Sequence, residues 1–406
     1  MGNPKSGEAK PLSAVAAGHL CLDILPNFEQ LAQGQFETLF KPGRLIQVGA
    51  AQFSTGGPVS NTGLALHRLG VPTRLVAKVG ADPFGKIVQD LIAQQGADLI
   101  QGVAVDAAAV TSYSVIISPK DTDRIFLHCP GANDTFTAED IPFEMVEEAA
   151  LFHFGYPPIM RQLYINNGQA LVEVMRRAKE TGVTTSLDMA YPDPSSESGQ
   201  ADWPLILKSV LPYVDIFLPS FEELLFTLRR DLFEQMNARG SLLDQVTPAL
   251  LQDLSAELLQ MGVKIVVIKL GSKGLYLRTG TASALKTMGR AHPLNCESWG
   301  DRELWAPCFK VNVAGTTGSG DSTIAGFLSA LLRQTTSEQA VTMAVAVGAC
   351  NVERPDALSG LRSWEDTLAR VNAGWDRLMV DPEDSGWHWD ASRQLWQGSL
   401  DGSPKI

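Results

Sequence analysis

Apolar and polar residues follow two patterns along this chain, one typical of buried strands and one typical of amphipathic helices. Short apolar runs predict strands at residues 13–22, 73–79, 151–154, 184–188, 216–219, 265–269 and 309–313. Helical spacing predicts helices at residues 60–70, 86–95, 137–150, 166–181 and 248–261. Strands that are apolar throughout need cover on both faces, and alternation with helices favours parallel pairing. The pattern therefore predicts an α/β fold with a doubly wound, mostly parallel central sheet and helices on both faces.

Two segments rich in β-forming residues, 45–56 and 111–131, do not fit this alternation. The second has the pattern of a hairpin, with the polar stretch 119–123 as its turn. The two segments flank one strand–helix unit. We therefore expect them to pair as a small β-sheet separate from the central one.

Three further segments differ from the main body, which we place at residues 13–370. Residues 1–12 are polar with two prolines and are expected to form a loose tail. Residues 280–306 have the composition of a loop-like insert. The C-terminal tail, 371–406, holds three tryptophans among polar residues beyond residue 381. Because a free tail would expose their large apolar area, we expect it to dock on the body.

Composition and charge narrow the class of protein. The 406 residues are 45% hydrophobic, which is ordinary for a globular chain, and the net charge is −12. This charge argues against nucleic acid or an anionic membrane as the main partner. The five cysteines show no C-x-x-C pairing, which favours free thiols in a reducing compartment. With neither a signal peptide nor an apolar run of about 18 residues, we expect a soluble cytoplasmic protein.

The stretch 314–322 carries the clearest chemistry. Its glycines lie between a strand-like run and a helix-like run, where backbone N–H groups and the helix dipole favour a bound anion. The spacing from Gly315 to Ser322 matches the P-loop pattern G-x-x-x-x-G-K-[ST], except that Asp321 replaces the lysine. A carboxylate there would repel phosphates, but it can accept a proton from an attacking hydroxyl while the N–H groups hold a phosphoryl group. The alternative is a tight turn in which Asp321 only interacts with the helix dipole.

Asp23 follows the first predicted strand. Open α/β sheets bind ligands at the carboxyl ends of their strands, which makes Asp23 a candidate ligand contact. A turn or helix-cap role explains the same position equally well.

Two signatures far apart in the chain carry a resemblance to a known family. They are Gly-Gly-Pro-Val-Ser-Asn at 56–61 and Gly-Thr-Thr-Gly-Ser-Gly-Asp at 315–321. Between them lie, in order, Gly-Ala-Asp-Pro-Phe-Gly at 80–85, Pro-Gly-Ala-Asn at 130–133, Asp188, Pro-Ser-Phe-Glu-Glu at 219–223 and Lys-Leu-Gly-Ser-Lys-Gly at 269–274. Over residues 13–370 the chain resembles the ribokinase-like (PfkB) carbohydrate kinases.

The resemblance implies a ribokinase-like fold and a role for each matched residue. Asp321 would be the general base, and the N–H groups of Gly318, Ser319 and Gly320 would form the anion hole. The other implied contacts are to the sugar (Asp23, Gly57, Asn61), to ATP (Lys269, Gly271, Gly274) and to Mg²⁺ (Glu223). The segments 45–56 and 111–131 would form a lid that closes over substrate and clasps a second subunit in a homodimer.

Three positions depart from the family's pattern. Gly315 replaces an aspartate that helps to bind an activating monovalent cation in many members. Ser220 replaces the asparagine of an N-x-x-E motif, and Ser220 with Glu223 also has the spacing of a helix capping box. Ser319 replaces an alanine at a position whose backbone carries the function.

These features together predict an ATP- and Mg²⁺-dependent kinase that phosphorylates a hydroxymethyl group of a small sugar or sugar acid. A nucleoside kinase of the same fold stays open, with Phe53 and Tyr113 as candidate stacking residues. A catalytically inactive sugar-binding regulator is the alternative from another class. A phosphosugar kinase would need a basic cluster to bind the phosphate of its substrate. The stretch 56–61 contains no basic residue, and the first ones after it are His67 and Arg68.

Overall fold

The computed structural model describes residues 11–28, 42–43, 45–118, 125–384 and 386–402. Its strands, numbered in chain order, are β1 (Ala14–Gly18), β2 (Cys21–Asn27), β3 (Gly49–Gly56), β4 (Thr73–Gly80), β5 (Gly102–Asp106), β6 (Tyr113–Ile117), β7 (Ile125–Cys129), β8 (Leu151–Gly155), β9 (Thr184–Leu187), β10 (Ile216–Phe217), β11 (Ile265–Lys269), β12 (Leu275–Thr279), β13 (Glu303–Ala306), β14 (His388–Asp390) and β15 (Leu395–Gln397). The longer α-helices are Pro58–Arg68, Pro83–Ala93, Ile165–Glu180, Trp203–Val210, Phe221–Leu228, Arg230–Asn237, Pro248–Gln260, Ser319–Leu332, Ser337–Asn351 and Trp364–Asn372. The short α-helices are Phe143–Glu147, Ala282–Leu285 and Cys296–Trp299.

Eleven of the described strands form one sheet in the order β14-β15-β13-β12-β11-β10-β9-β8-β1-β4-β5. Pairing is parallel from β5 through β11 and antiparallel from β11 to the β14 edge. Two clusters of buried apolar side chains account for most of the core, one with Phe152 and Leu224 and the other with Leu277 and Leu328. The prediction of a mostly parallel α/β sheet is confirmed, and the antiparallel edge is an addition to it.

The remaining four strands form the small sheet, in the order β3-β2-β6-β7. β6 and β7 pair antiparallel, as expected of a hairpin, and its predicted turn at 119–123 lies outside the described residues. The separate small sheet is thus confirmed, but it also contains β2 as an inner strand, and the sequence pattern had assigned the first two residues of β2, Cys21 and Leu22, to a strand of the central sheet. We call this sheet the lid.

The single strand predicted at 13–22 is wrong, because the chain breaks into β1 and β2 at His19 and Leu20. Gly18 has a φ of 124°, and a Cβ there would lie 2.3 Å from the Gly155 carbonyl oxygen. The turn therefore depends on a glycine next to β8. Asp23 lies inside lid strand β2, not after a central strand.

Three other predictions of local structure are corrected. Of 309–313, only Phe309 pairs, in an isolated bridge with Arg377. The helix predicted at 137–150 is limited to a short 3₁₀ turn at Ala138–Asp140 and the helix Phe143–Glu147, because Pro142 interrupts it. The segment 280–306 is not a loop, since it contains two short helices and β13 of the central sheet.

Residues 386–402 pack along the antiparallel edge. Trp387 is 6% exposed, and the Trp396 indole donates a hydrogen bond of 2.8 Å to the Val380 carbonyl. β15 pairs with β13, and Arg302 forms a buried ion pair of 3.0 Å with Asp401. We propose that this tail is an integral part of the body. In the described part of the chain, no helix combines the length and apolarity needed to cross a membrane.

Candidate active site

The site lies at a switch point of the central sheet. From β1 the chain proceeds to β4 and β5 on one side, whereas β8 and the strands after it lie on the other. Open α/β sheets bind ligands at the carboxyl ends of the strands at such a point. His19 follows β1 there, and Tyr156 follows β8.

Asp321 lies in the first turn of the helix Ser319–Leu332 and is 3% exposed. Its carboxylate accepts hydrogen bonds from Asn61 Nδ2 at 3.0 Å and Thr62 Oγ1 at 3.3 Å. The Tyr156 hydroxyl lies 3.0 and 3.1 Å from the two carboxylate oxygens. Two elements that are distant from Asp321 in sequence, the helix Pro58–Arg68 and the segment after β8, therefore hold this carboxylate in one place.

A cavity of about 990 Å³ opens in front of Asp321, and we call it the acceptor cavity. The predicted sugar contacts Asp23, Gly57 and Asn61 all line it, as does Gly318 of the predicted anion hole. The structure thus brings residues from the lid, the helix Pro58–Arg68 and the late glycine loop to one space.

A second cavity, of about 330 Å³, lies across the start of the same helix. The predicted ATP contacts Lys269, Gly271 and Gly274 line it together with Ser319 and Gly320. Much of its remaining wall is apolar, formed by Phe309, Val311, Val345, Ala349, Val352 and Leu378. Because Val313 and Thr316 line both cavities, the two spaces adjoin at the glycine loop.

The helix start between these cavities has the geometry of an anion site. Gly318 caps the helix with a φ of 69° and a ψ of 7°, a left-handed conformation that favours glycine. The first N–H groups of a helix have no acceptor within it and carry the positive end of the dipole. The Ser319 N–H is not free to bind an anion in this structure, because it donates to the Thr316 carbonyl, before the helix, at 3.2 Å. Of the three predicted donors, Ser319 is therefore already engaged.

Lys269 supplies the cation that the glycine loop lacks. A Cβ built on Gly320 would lie 3.8 Å from Lys269 Nζ, so the ammonium group adjoins the helix start. Its partners are Asp188 at 2.7 Å and Glu223 at 3.8 Å. Burial alone would lower the pKa of Lys269, but these carboxylates outweigh it and raise that pKa. A P-loop carries its lysine on the loop, whereas here β11 delivers it from elsewhere in the chain.

Glu223 takes part in a capping box as well as facing Lys269. Its carboxylate accepts from the Ser220 N–H at 2.6 Å, and the Ser220 hydroxyl accepts from the Glu223 N–H at 3.2 Å. In the described residues, no group of three or more His, Cys, Asp or Glu side chains forms a ready metal site. The contacts of Glu223 therefore show a structural role as a helix cap. To bind a metal ion as well, Glu223 would need further oxygen ligands supplied from outside the protein.

The titration of Asp23 is shifted by its place in the lid. Burial raises the pKa of Asp23 to about 6, although the Cys21 thiol, which donates to it at 3.4 Å, opposes the rise. A Cβ on Gly56 would lie 2.3 Å from this carboxylate, so the glycine of the early signature leaves room for it.

Three residues of the site were missed by sequence reasoning. Thr62 and Tyr156 bind the Asp321 carboxylate, and His19 lines the acceptor cavity. Tyr156 has a φ of 64°, which is unusual for a residue other than glycine and typical of functional sites. A polar residue shortly after a buried strand was the available signal for Tyr156, which follows the strand predicted at 151–154. His19 lies inside the strand predicted at 13–22, so that signal did not mark it.

Comparisons with known proteins agree with this geometry. The chain matches the model of the pfkB family carbohydrate kinases over residues 15–364. Fructokinase-1 of Zea mays is 23% identical over 370 residues, which cover 88% of this chain and 97% of that protein. Two solved structures share the fold at a TM-score of 0.64. Arabidopsis thaliana ribokinase complexed with ribose and ATP is 20% identical, covering 89% of this chain and 98% of that one. A proposed ribokinase II from E. coli with ATP and Mg²⁺ is 19% identical, covering 89% and 99%.

The family model spans most of the chain, and the relatives match over nearly their full length. Apart from Leu378 in the wall of the second cavity, the site residues described above lie within the matched range. This protein belongs to the pfkB family of carbohydrate kinases and is a sugar kinase of the ribokinase fold.

Proposed function

We propose that this protein transfers the γ-phosphoryl group of ATP to a hydroxymethyl group of a small sugar or sugar acid. The observation that carries the proposal is the position of Asp321. Its carboxylate faces the acceptor cavity, and the helix start that precedes it also borders the second cavity. A phosphoryl group held at that helix start would thus lie between an acceptor and a donor.

Asp321 acts as the general base in this proposal. The acceptor hydroxyl approaches the carboxylate from the cavity, where the Tyr156 hydroxyl now contacts both of its oxygens. The acceptor therefore replaces at least one of those contacts, while Asn61 and Thr62 keep the carboxylate in place. Asp23, Gly57 and Asn61 bind the rest of the sugar, and the proton moves to Asp321 as the oxygen–phosphorus bond forms.

The second cavity would take the nucleotide. Its apolar wall suits an adenine ring, and Lys269, Gly271 and Gly274 lie where they would meet the phosphate end. The backbone of Gly318, Ser319 and Gly320, with the helix dipole, would hold the transferring group. For Ser319 this requires release of its bond to the Thr316 carbonyl. The two related structures named above, which contain ATP, support this assignment.

The residues beside Lys269 also fit Mg²⁺. Asp188 is fully buried, one of its carboxylate oxygens binds Lys269, and the other, Oδ2, has no partner among the described residues. Mg²⁺ prefers a few carboxylates combined with water and substrate phosphates. We propose that Glu223 and Asp188 hold the ion together with the nucleotide. When bound, Mg²⁺ supplies neutralisation of the phosphate charge.

The lid would close over the acceptor and exclude water, which otherwise competes for the phosphoryl group. Its strand β7 leaves Phe126 and Leu127 55% and 51% exposed. Uncovered apolar side chains of this size favour an interface. We propose a homodimer joined through the lid, and light scattering on the purified protein tests it.

ADP release measured with a panel of sugars, sugar acids and nucleosides tests the function. We expect Mg²⁺-dependent turnover with at least one sugar or sugar acid. Turnover with nucleosides alone would make this a nucleoside kinase. Binding of a sugar by calorimetry without any turnover would identify an inactive, sugar-binding regulator.

A further inference from the structure

His19 is a buried polar side chain that no described residue satisfies. It is 2% exposed, it lines the acceptor cavity, and neither of its ring nitrogens has a hydrogen-bond partner among the described residues. Its backbone is fixed, because its N–H donates to the Gly155 carbonyl at 3.3 Å and its carbonyl accepts from the Val59 N–H at 3.4 Å. A buried polar group without a partner costs about 1–3 kcal/mol. The arrangement therefore indicates a ligand that supplies the missing partner.

A second histidine faces the first from the lid. The rings of His19 and His128 are 5.2 Å apart between centroids, and both residues line the acceptor cavity. His128 Nδ1 is fixed by the Ser114 hydroxyl at 3.0 Å. One imidazole thus comes from the end of β1 and the other from β7, so a ligand between them would contact both the central sheet and the lid.

The charges around this pair disfavour an anionic ligand. The described lining of the acceptor cavity contains three carboxyl groups, those of Asp23, Asp193 and Asp321, and neither lysine nor arginine. Lys269 lines the other cavity and is paired with Asp188. Burial, and to a lesser extent His128, lower the pKa of His19 to about 3, so this ring is uncharged at neutral pH. Two like charges 4 Å apart repel by about 4 kcal/mol near a protein surface, and no cationic side chain in the described lining offsets that.

Resting on the kinase function proposed above, we propose that the acceptor is an uncharged polyhydroxy compound and that His19 and His128 bind its hydroxyl groups. A neutral imidazole offers one donor and one acceptor nitrogen, which suits a hydroxyl group that can act as either. Sugar acids and sugar phosphates are excluded by the carboxyl groups of the same cavity.

Matched acceptors test the charge selectivity. ADP release is measured with Mg²⁺-ATP and a panel of aldoses, ketoses and polyols, each next to its own sugar acid and sugar phosphate. We expect kcat/KM for the best uncharged acceptor to exceed that of its acid and its phosphate by at least about tenfold. An acid or a phosphate used as well as the uncharged compound overturns the inference and leaves the kinase function standing.

Variants of the two histidines test their role as binding residues. His19→Phe keeps a ring and removes both nitrogens, so we expect KM for the acceptor to rise about tenfold and KM for ATP to stay within twofold. His19→Gln should recover part of the loss, and His128→Phe should raise the acceptor KM several-fold. His67→Phe is the matched control, because His67 is exposed and lies outside this cavity; its KM values should not change.

Two further measurements keep these outcomes apart. Thermal unfolding identifies a variant that fails to fold, in which case His19→Gln and His128→Phe decide the matter. A folded His19→Phe enzyme with an unchanged acceptor KM overturns the inference. If the wild type turns over nothing, calorimetry with the uncharged sugars decides. Binding that His19→Phe abolishes supports the inference while the kinase function fails, and no binding at all overturns both.

Discussion

Replacing Asp321 by asparagine tests the centre of the proposed mechanism. Asparagine has the same shape, and its carbonyl oxygen can accept from either Asn61 or Thr62, which now donate to the carboxylate at 3.0 and 3.3 Å. Its NH₂ group then faces the other partner. The Thr62 hydroxyl can rotate to accept, whereas the Asn61 NH₂ group cannot, so the orientation with the carbonyl toward Asn61 is favoured. We therefore expect the variant to fold, with a loss of stability of about 1 kcal/mol for the weakened hydrogen bonds.

The expected effect on catalysis is much larger. Positioned proton transfer contributes about 10²–10⁴-fold to a rate, which corresponds to about 3–5 kcal/mol of transition-state stabilisation. Asparagine cannot accept the proton, so kcat in Asp321→Asn should fall by that factor. Acceptor affinity should change little, because the hydrogen-bonding shape of the site is kept.

Single-turnover ADP release, calorimetry with the acceptor, and thermal unfolding separate these effects. Tyr156→Phe is the control. It removes a donor to the same carboxylate and leaves the base, so its kcat should fall by less than that of Asp321→Asn. A folded Asp321→Asn enzyme with kcat within tenfold of the wild type would refute the assignment of Asp321 as the base.

The other site residues give shorter predictions. Glu223→Gln should raise the Mg²⁺ concentration needed for half-maximal activity. Ser220→Ala should mainly lower the melting temperature, because a lost helix cap costs about 1 kcal/mol of stability. A Glu223→Gln enzyme with an altered melting temperature and an unaltered Mg²⁺ dependence would assign Glu223 to capping alone. Lys269→Met should raise KM for ATP at least tenfold and leave acceptor binding by calorimetry unchanged, and equal losses for both ligands would contradict its place in the nucleotide cavity. Because burial raises the pKa of Asp23 from 3.8 to about 6, its ionised form costs stability, so the excess stability of Asp23→Asn over the wild type should be small near pH 4, grow between pH 4 and 6, and level off above pH 6. Melting temperatures of the two proteins from pH 4 to 8 check this, and a constant difference would contradict it.

The sequence predicted those parts of the site that depend on local pattern. The glycine loop and Asp321 lie in one continuous stretch at the start of a helix, and the lysine of β11 belongs to a buried apolar run. The spacing of the glycines and Asp321 was enough to predict an anion site there, whereas the role of Lys269 was implied only by the family resemblance. The central parallel strands were predictable for the same reason, since each is a short apolar run between helices.

What the sequence did not predict depends on contacts between distant segments. The run 13–22 is mostly apolar, with Ser13 and His19 as its polar residues, and its break at His19 follows from the closeness of Gly18 to Gly155. Tyr156 reaches Asp321 across 165 residues of sequence, and no local pattern marks such a pair. Residues 309–313 are rich in β-forming residues, but only Phe309 pairs, in an isolated bridge with Arg377. Composition alone therefore did not show that this segment has no neighbouring strand.

Gly315 leads to the last prediction. The family resemblance implies an aspartate at this position that helps to bind an activating monovalent cation, whereas the glycine here offers only its carbonyl. At 4 Å the lost attraction for a K⁺ ion is about 4 kcal/mol at the effective dielectric of a protein surface. The loop is instead held by protein, because the N–H groups of Ala314 and Gly315 donate to the Val352 carbonyl at 2.8 and 3.3 Å.

We therefore expect nearly equal turnover in sodium, potassium and tetramethylammonium buffers of the same ionic strength. The variant Gly315→Asp, which would introduce the carboxylate, is not a suitable second test of this prediction. A Cβ at this position would lie 2.8 Å from Pro355 Cα and 2.9 Å from its carbonyl oxygen, which is too close. The backbone of the facing loop occupies the space that the aspartate would need, so in this chain the loop contact and a cation-binding side chain exclude each other. A several-fold rise in turnover specific to K⁺ would show that another group has taken over the cation, and that the contacts to Val352 do not order the loop on their own.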